Sequence, residues 1–165
     1  MASKKGVWLT IVILVAITTA SFFVWLTPQS YDATFVVSDF KSHLDEIKEI
    51  HGALADGIEK EFQKMLNGDI TPDHYIEVAE ISSSQINSQI IQLVESKASQ
   101  EWQESYLNYL EALRATNSNM RETIVVANMI KENADKQNVD EVLKKIDHLK
   151  EESKSFVSAS DSARP

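Results

Sequence analysis

Residues 102–134 read WQESYLNYLEALRATNSNMRETIVVANMIKENA. Trp102, Tyr106, Tyr109, Leu113, Thr116, Met120, Thr123, Ala127, Ile130 and Ala134 recur at alternating spacings of three and four. That period lays one stripe along a helix. A stretch this long and this regular makes the fold helical, and the flanking sequence repeats the pattern on both sides.

Towards the N-terminus, Ile76, Ala79, Ser83, Ile86, Ile90 and Leu93 keep the same rhythm. Thr71-Pro72-Asp73 opens that helix: threonine caps, proline takes the first turn and aspartate meets the positive end of the dipole. The phase then breaks. Leu93 and Trp102 are nine residues apart, about 2.5 helical turns, so a turn is expected near residues 97–99 with Ser99 as the next cap. Further back, Val37, Phe40, Leu44, Ile47, His51, Leu54 and Ile58, then Phe62 and Met65, form a first helix. It is expected to start near Ser30 or Asp32 and to stop at Asn67-Gly68. Towards the C-terminus, Asn138 and Glu141 resemble a capping box. Val139, Val142, Ile146, Leu149 and Phe156 follow as a fourth stripe. The small, polar residues 159–165 are expected to be a disordered tail.

Four amphipathic helices on short turns predict an all-α, up-down-up-down four-helix bundle over residues 30–158. The seven-residue period predicts left-handed, coiled-coil-like packing. The first and third helices are expected to be the long ones, about 50 Å each.

Before the bundle stands GVWLTIVILVAITTASFFVWL, residues 6–26, without a charge. As a helix it reaches about 30 Å, the thickness of a hydrocarbon core. Lys4 and Lys5 precede it, and Trp8 and Trp25 stand near its ends, where indoles prefer the headgroup level. A cleaved signal peptide would have a shorter apolar run; here residues 22–26 carry the run past the small residues Thr18-Thr19-Ala20. Residues 1–29 therefore read as a cytoplasmic basic start and an uncleaved transmembrane anchor, with the remainder extracytoplasmic. Ala16 and Ala20 make a small-xxx-small pair that suits a neighbouring transmembrane helix as well as lipid.

The 165 residues hold 16 basic and 25 acidic side chains. Lys4 and Lys5 lie before the anchor and no acid does, so the part beyond it carries a net charge of −11. That argues against nucleic acid and against lying on anionic lipid. There is no cysteine, which excludes disulfides, thiolate metal sites and cysteine nucleophiles. No Asn-x-Ser/Thr sequon occurs either, which leans towards a prokaryotic envelope.

The four histidines, His43, His51, His74 and His148, lack the Glu-x-x-His spacing of di-iron bundles. His51 falls on the core stripe and reads as a buried histidine satisfied by a polar neighbour. Asp39 with His43, and His148 with Glu151, have two-ligand spacing, a pattern common on solvated faces. Gly52 and Gly57 sit mid-helix, fitting close helix approach, a bend or plain tolerance. Ser83 is expected to supply a polar layer. Ile124, Val125, Val126 and Met129 cover more than one side of their helix, either as a broader core or as a face that docks a partner. No catalytic, cofactor-binding or metal-binding residue is expected.

The Lys4-Lys5 start, the single anchor and the cysteine-free acidic helical ectodomain resemble small single-span archaeal surface proteins. That resemblance implies an accessory subunit of a membrane complex, as in the archaeal ammonia monooxygenase. The bundle also resembles the helical ligand-binding ectodomains of bacterial chemoreceptors, although no second span or signalling segment follows here. The leading expectation is a non-catalytic, membrane-anchored interaction or accessory subunit, its partners being lipid and other membrane subunits or further copies of itself. The alternative is an extracytoplasmic ligand-binding or sensory module, with Trp102, Tyr106 and Tyr109 as its pocket wall.

Overall fold

The computed structural model describes residues 37–165. The expected anchor, with Trp8, Ala16, Ala20 and Trp25, lies outside these residues, as do Ser30 and Asp32. Among the described residues no helix is long and apolar enough to cross a membrane. They are all-α: α1 (Phe40–Asn67), α2 (Pro72–Glu95), α3 (Gln103–Lys131) and α4 (Lys136–Ser162), with no strand.

The start of α1 corrects the expectation. Val37 and Ser38 are not helical. The helix starts only where Asp39 can cap it, accepting from the backbone N–H of Ser42 at 3.0 Å and from its hydroxyl at 2.7 Å. Its stop is as expected. Gly68 is left-handed, with φ 81°. Its N–H donates to Met65 O at 3.0 Å and that of Asp69 to Lys64 O at 2.8 Å, the paired bonds of a Schellman motif. Thr71 caps α2 by accepting from His74 N–H.

The α2–α3 turn lies where the phase break puts it, but Ser99 is not a side-chain cap. Its hydroxyl is buried and makes no hydrogen bond among the described residues. Lys97 turns the backbone at φ 48°. The Ser99 carbonyl then accepts from Trp102 N–H, and α3 begins at Gln103. At the next junction Asn133, at φ 53°, ends α3 before Ala134. Asp135 caps α4 by accepting from Gln137 N–H at 2.9 Å. The helix therefore starts ahead of the Asn138 box, because an earlier acceptor is already in place.

The helices span 28, 24, 29 and 27 residues, so the first and third are the longest as expected, but they reach only about 42–44 Å at helical rise and exceed α4 by one or two residues. Part of the difference is the C-terminus. Residues expected to fray continue α4 to Ser162, and Ser160 is fully buried against α3. Ser105 Oγ donates to the Ser160 carbonyl at 2.8 Å.

Helix α3 is the centre, the one helix that packs against all three others, most extensively against α4. Its buried surface accordingly wraps well beyond one stripe. Leu44, Ile47, Phe62, Tyr75, Ile86, Leu113, Met120, Val126 and Ile146 form the heart of the core. Along α2 the buried stripe runs through Tyr75, Ser82 and Gln89 rather than Ile76, Ser83 and Ile90. Tyr75 can take a core position because its hydroxyl donates to Thr123 Oγ1 at 2.6 Å. Helices α1 and α4 behave differently. No Cα of α1 comes within 8 Å of one in α4.

Candidate functional site

The open seam between α1 and α4 holds a concavity of about 650 Å³. That is the size of ordinary small-molecule sites. Gly52, Ala55 and Asp56 of α1 form one wall; Ser153, Val157 and Ser158 of α4 form the other. Small side chains on both walls leave the space unfilled.

Long side chains bridge the seam. Glu59 meets Lys150 at 2.6 Å, Lys48 meets Asp161, and Asp45 meets Arg164 at 2.7 Å. These pairs run in opposite order along the two helices, so α1 and α4 are antiparallel. Burial pushes the Glu59 carboxyl up, but the bonds from Lys150 and Gln63 and the lysine charge outweigh it, and the net shift is down. The hydrogen bond from Arg164 likewise lowers Asp45.

The floor is polar and buried, and its hydrogen bonds run in one direction. Ser153 Oγ donates to the Ala112 carbonyl at 3.1 Å, so towards Thr116 Oγ1, 2.8 Å away, it must accept. Thr116 has then used its proton and accepts from His51 Nε2 at 2.8 Å. His51 Nδ1 is left to accept from the Tyr109 hydroxyl at 2.7 Å. Every group is satisfied with His51 neutral and its proton on Nε2. Desolvation takes the His51 pKa down to about 4 and pushes the Tyr109 phenol up. His51 is thus the satisfied core histidine its stripe position suggests.

The other candidates separate. Asp39 is occupied as the cap of α1. His43 stacks on Tyr106 and bonds its hydroxyl through Nδ1 at 3.0 Å. Tyr106 in turn donates to the Phe40 carbonyl, and burial pushes its phenol up to about 12. His148 is exposed, and Glu151 pairs with Lys154 instead. Among the described residues no three His, Asp or Glu side chains group as metal ligands. Ser83 does join a polar layer, donating to Asn117, whose amide donates to Asn87.

The expected aromatic wall does not form as a unit. Tyr109 lies in the seam floor, whereas Tyr106 borders a second hollow of about 470 Å³ between α2 and α3, with Val94, Leu107 and Leu110. Trp102 is half-buried edge-on to Tyr106. The stretch that reads as either a broader core or a docking face is also divided. Val126 is fully buried, Ile124 and Met129 are half-buried, and Val125 alone is exposed. Val126 points into the core because α3 has neighbours on three sides.

Sequence reasoning missed the α4 contribution. Ser153 and Ser160 fall seven and fourteen residues after Ile146, so the heptad carried a signal, but through serines rather than apolar residues. Compared with known proteins, the chain matches no protein-family model, no curated protein and no solved structure.

Proposed function

We propose that this chain is a non-catalytic, membrane-anchored interaction or accessory subunit of a membrane protein complex. In this reading residues 6–26 are the tether, and the four helices form an up-down-up-down bundle on the extracytoplasmic side. The observation that supports it is the distribution of exposed apolar side chains. Ile81, Ile91 and Val94 of α2 and Leu107 of α3 are each more than half exposed, and α4 has no large apolar side chain so exposed. Val94 and Leu107 border the same hollow. Exposed apolar clusters on small domains commonly mark contact surfaces.

The test is purification of the full chain in mild detergent, followed by mass spectrometry. A co-purifying membrane protein, or a second copy, is expected with the wild type and is lost with Val94→Glu plus Leu107→Glu. Both residues are exposed, so the charges leave the fold intact. A monomer without companions, or companions indifferent to the double substitution, defeats the proposal.

The seam favours a second reading, an extracytoplasmic ligand-binding module. Its support is a cavity of ligand size over a buried, directional polar floor. Thermal shift of the full chain against a panel of small molecules tests it; no stabilisation by any compound goes against it.

A further inference from the structure

The charges that line the α1–α4 seam are Lys48, Asp56, Glu59, Lys150 and Lys154. Four of them are neutralised within the fold: Lys48 by Asp161, Glu59 and Lys150 by each other, and Lys154 by Glu151. Asp56 has no ion-pair partner among the described residues, so the net free charge of the groove there is negative. The chain as a whole carries −9, and its field draws cations towards that point.

Gly52 lies one helical turn before Asp56 on the same wall. Glycine at mid-helix costs about 0.5–1 kcal/mol relative to alanine. Nothing inside the fold requires it, since a Cβ there would meet no atom within 4 Å. The missing side chain exposes α1 backbone to whatever enters the seam. The apolar Val157 of α4 and the buried Tyr109 of α3 line the same concavity.

The ion pairs at Lys48 and Glu59 are eleven residues apart on α1, about 16 Å at helical rise. They bridge both walls. A helix of another protein laid along the seam would cross both bridges, whereas a compact molecule fits between them. The occupant is therefore small, partly apolar and positively charged.

We infer that the seam binds a small amphipathic organic cation, its ammonium group at the Asp56 carboxylate and its apolar body over Gly52, Ala55 and Val157. The inference rests on the ligand-binding reading and names its ligand class. The test uses three probes of one shape and different charge: tryptamine, tryptophol and indole-3-acetate. Each is titrated into the isotope-labelled full chain in nonionic detergent, and the amide resonances of Gly52, Asp56 and Val157 are followed. Tryptamine is expected to give saturable shifts there. Asp56→Asn should weaken it three- to fivefold, as for an exposed charge pair. Gly52→Leu, which fills open space, should abolish it while resonances of α2 stay in place. Equal or tighter binding of tryptophol or indole-3-acetate at these residues overturns the cation assignment and leaves the ligand-binding reading standing. Saturation by none of the three overturns both. Tryptamine shifts that survive Gly52→Leu put the binding elsewhere and also overturn the inference.

Discussion

His51 spends both ring nitrogens on neutral partners, and that arrangement has a pH signature. Its pKa lies near 4 against an ordinary 6.5, so between those values the unfolded chain binds a proton that the folded chain refuses. Stability is whole above about pH 6.5, falls as the pH drops towards 4 and loses nothing more from this residue below that. The full loss is about 3 kcal/mol. Urea melts at pH 7 and pH 4 check it: the acid-induced drop should shrink by that amount in His51→Gln. A second residue gives the opposite sign. Gln89 is buried, its Oε1 has no partner among the described residues, and its Nε2 reaches the Ile47 carbonyl only at 3.5 Å. An unsatisfied buried acceptor costs free energy, so Gln89→Met should raise the urea midpoint, by about 1 kcal/mol of stability. Neither residue's partners were legible in the sequence. The stripe placed His51 inside, but Tyr109, Thr116 and Ser153 come from 58, 65 and about a hundred positions away, and only the packing of α3 and α4 brings them together.

At the scale of the element, the sequence was most legible where one residue type has one conformational use. Gly68 and Thr71-Pro72 mark their boundaries because a left-handed residue and a proline in the first turn leave few alternatives. Gly68→Ala should cost about 1 kcal/mol, since alanine resists positive φ; denaturation with unchanged helicity by circular dichroism would check it. Boundaries with several candidate caps were misread. Both Asp135 and Asn138 suit an N-cap, and the chain uses the first. Asp135→Ala should therefore cost about 1 kcal/mol, and Asn138→Ala less than about 0.5 kcal/mol. A larger effect at Asn138 in thermal melts would restore the capping box. Lys97 and Asn133 reverse the chain without glycine, so neither turn carried a strong sequence mark.

For the whole molecule, periodicity gave the number and order of helices but not how widely each is buried. The central α3 is covered on three sides, a property of its neighbours rather than of its own pattern. That is why Val126, which the sequence leaves open between a broader core and a docking face, is core. The same holds for the C-terminus, whose serines and charges look solvated until Ser160 is set against Ser105 and Arg164 against Asp45. Ending the chain after Ser158 removes these contacts and the Asp161–Lys48 pair. The thermal midpoint should fall, with a loss of about 2 kcal/mol; an unchanged midpoint would show the last turn to be dispensable.

The missing backbone contact between α1 and α4 also has a mechanical meaning. Helix α1 is joined to α4 by side-chain bridges alone, and these weaken as ionic strength rises. If residues 6–26 hold the chain in a bilayer, any tension between membrane and partner arrives first at α1, through residue 37. That load opens the α1–α4 seam first, because on its other side α1 is held to α2 and α3 by Leu44, Ile47 and Phe62 in the common core.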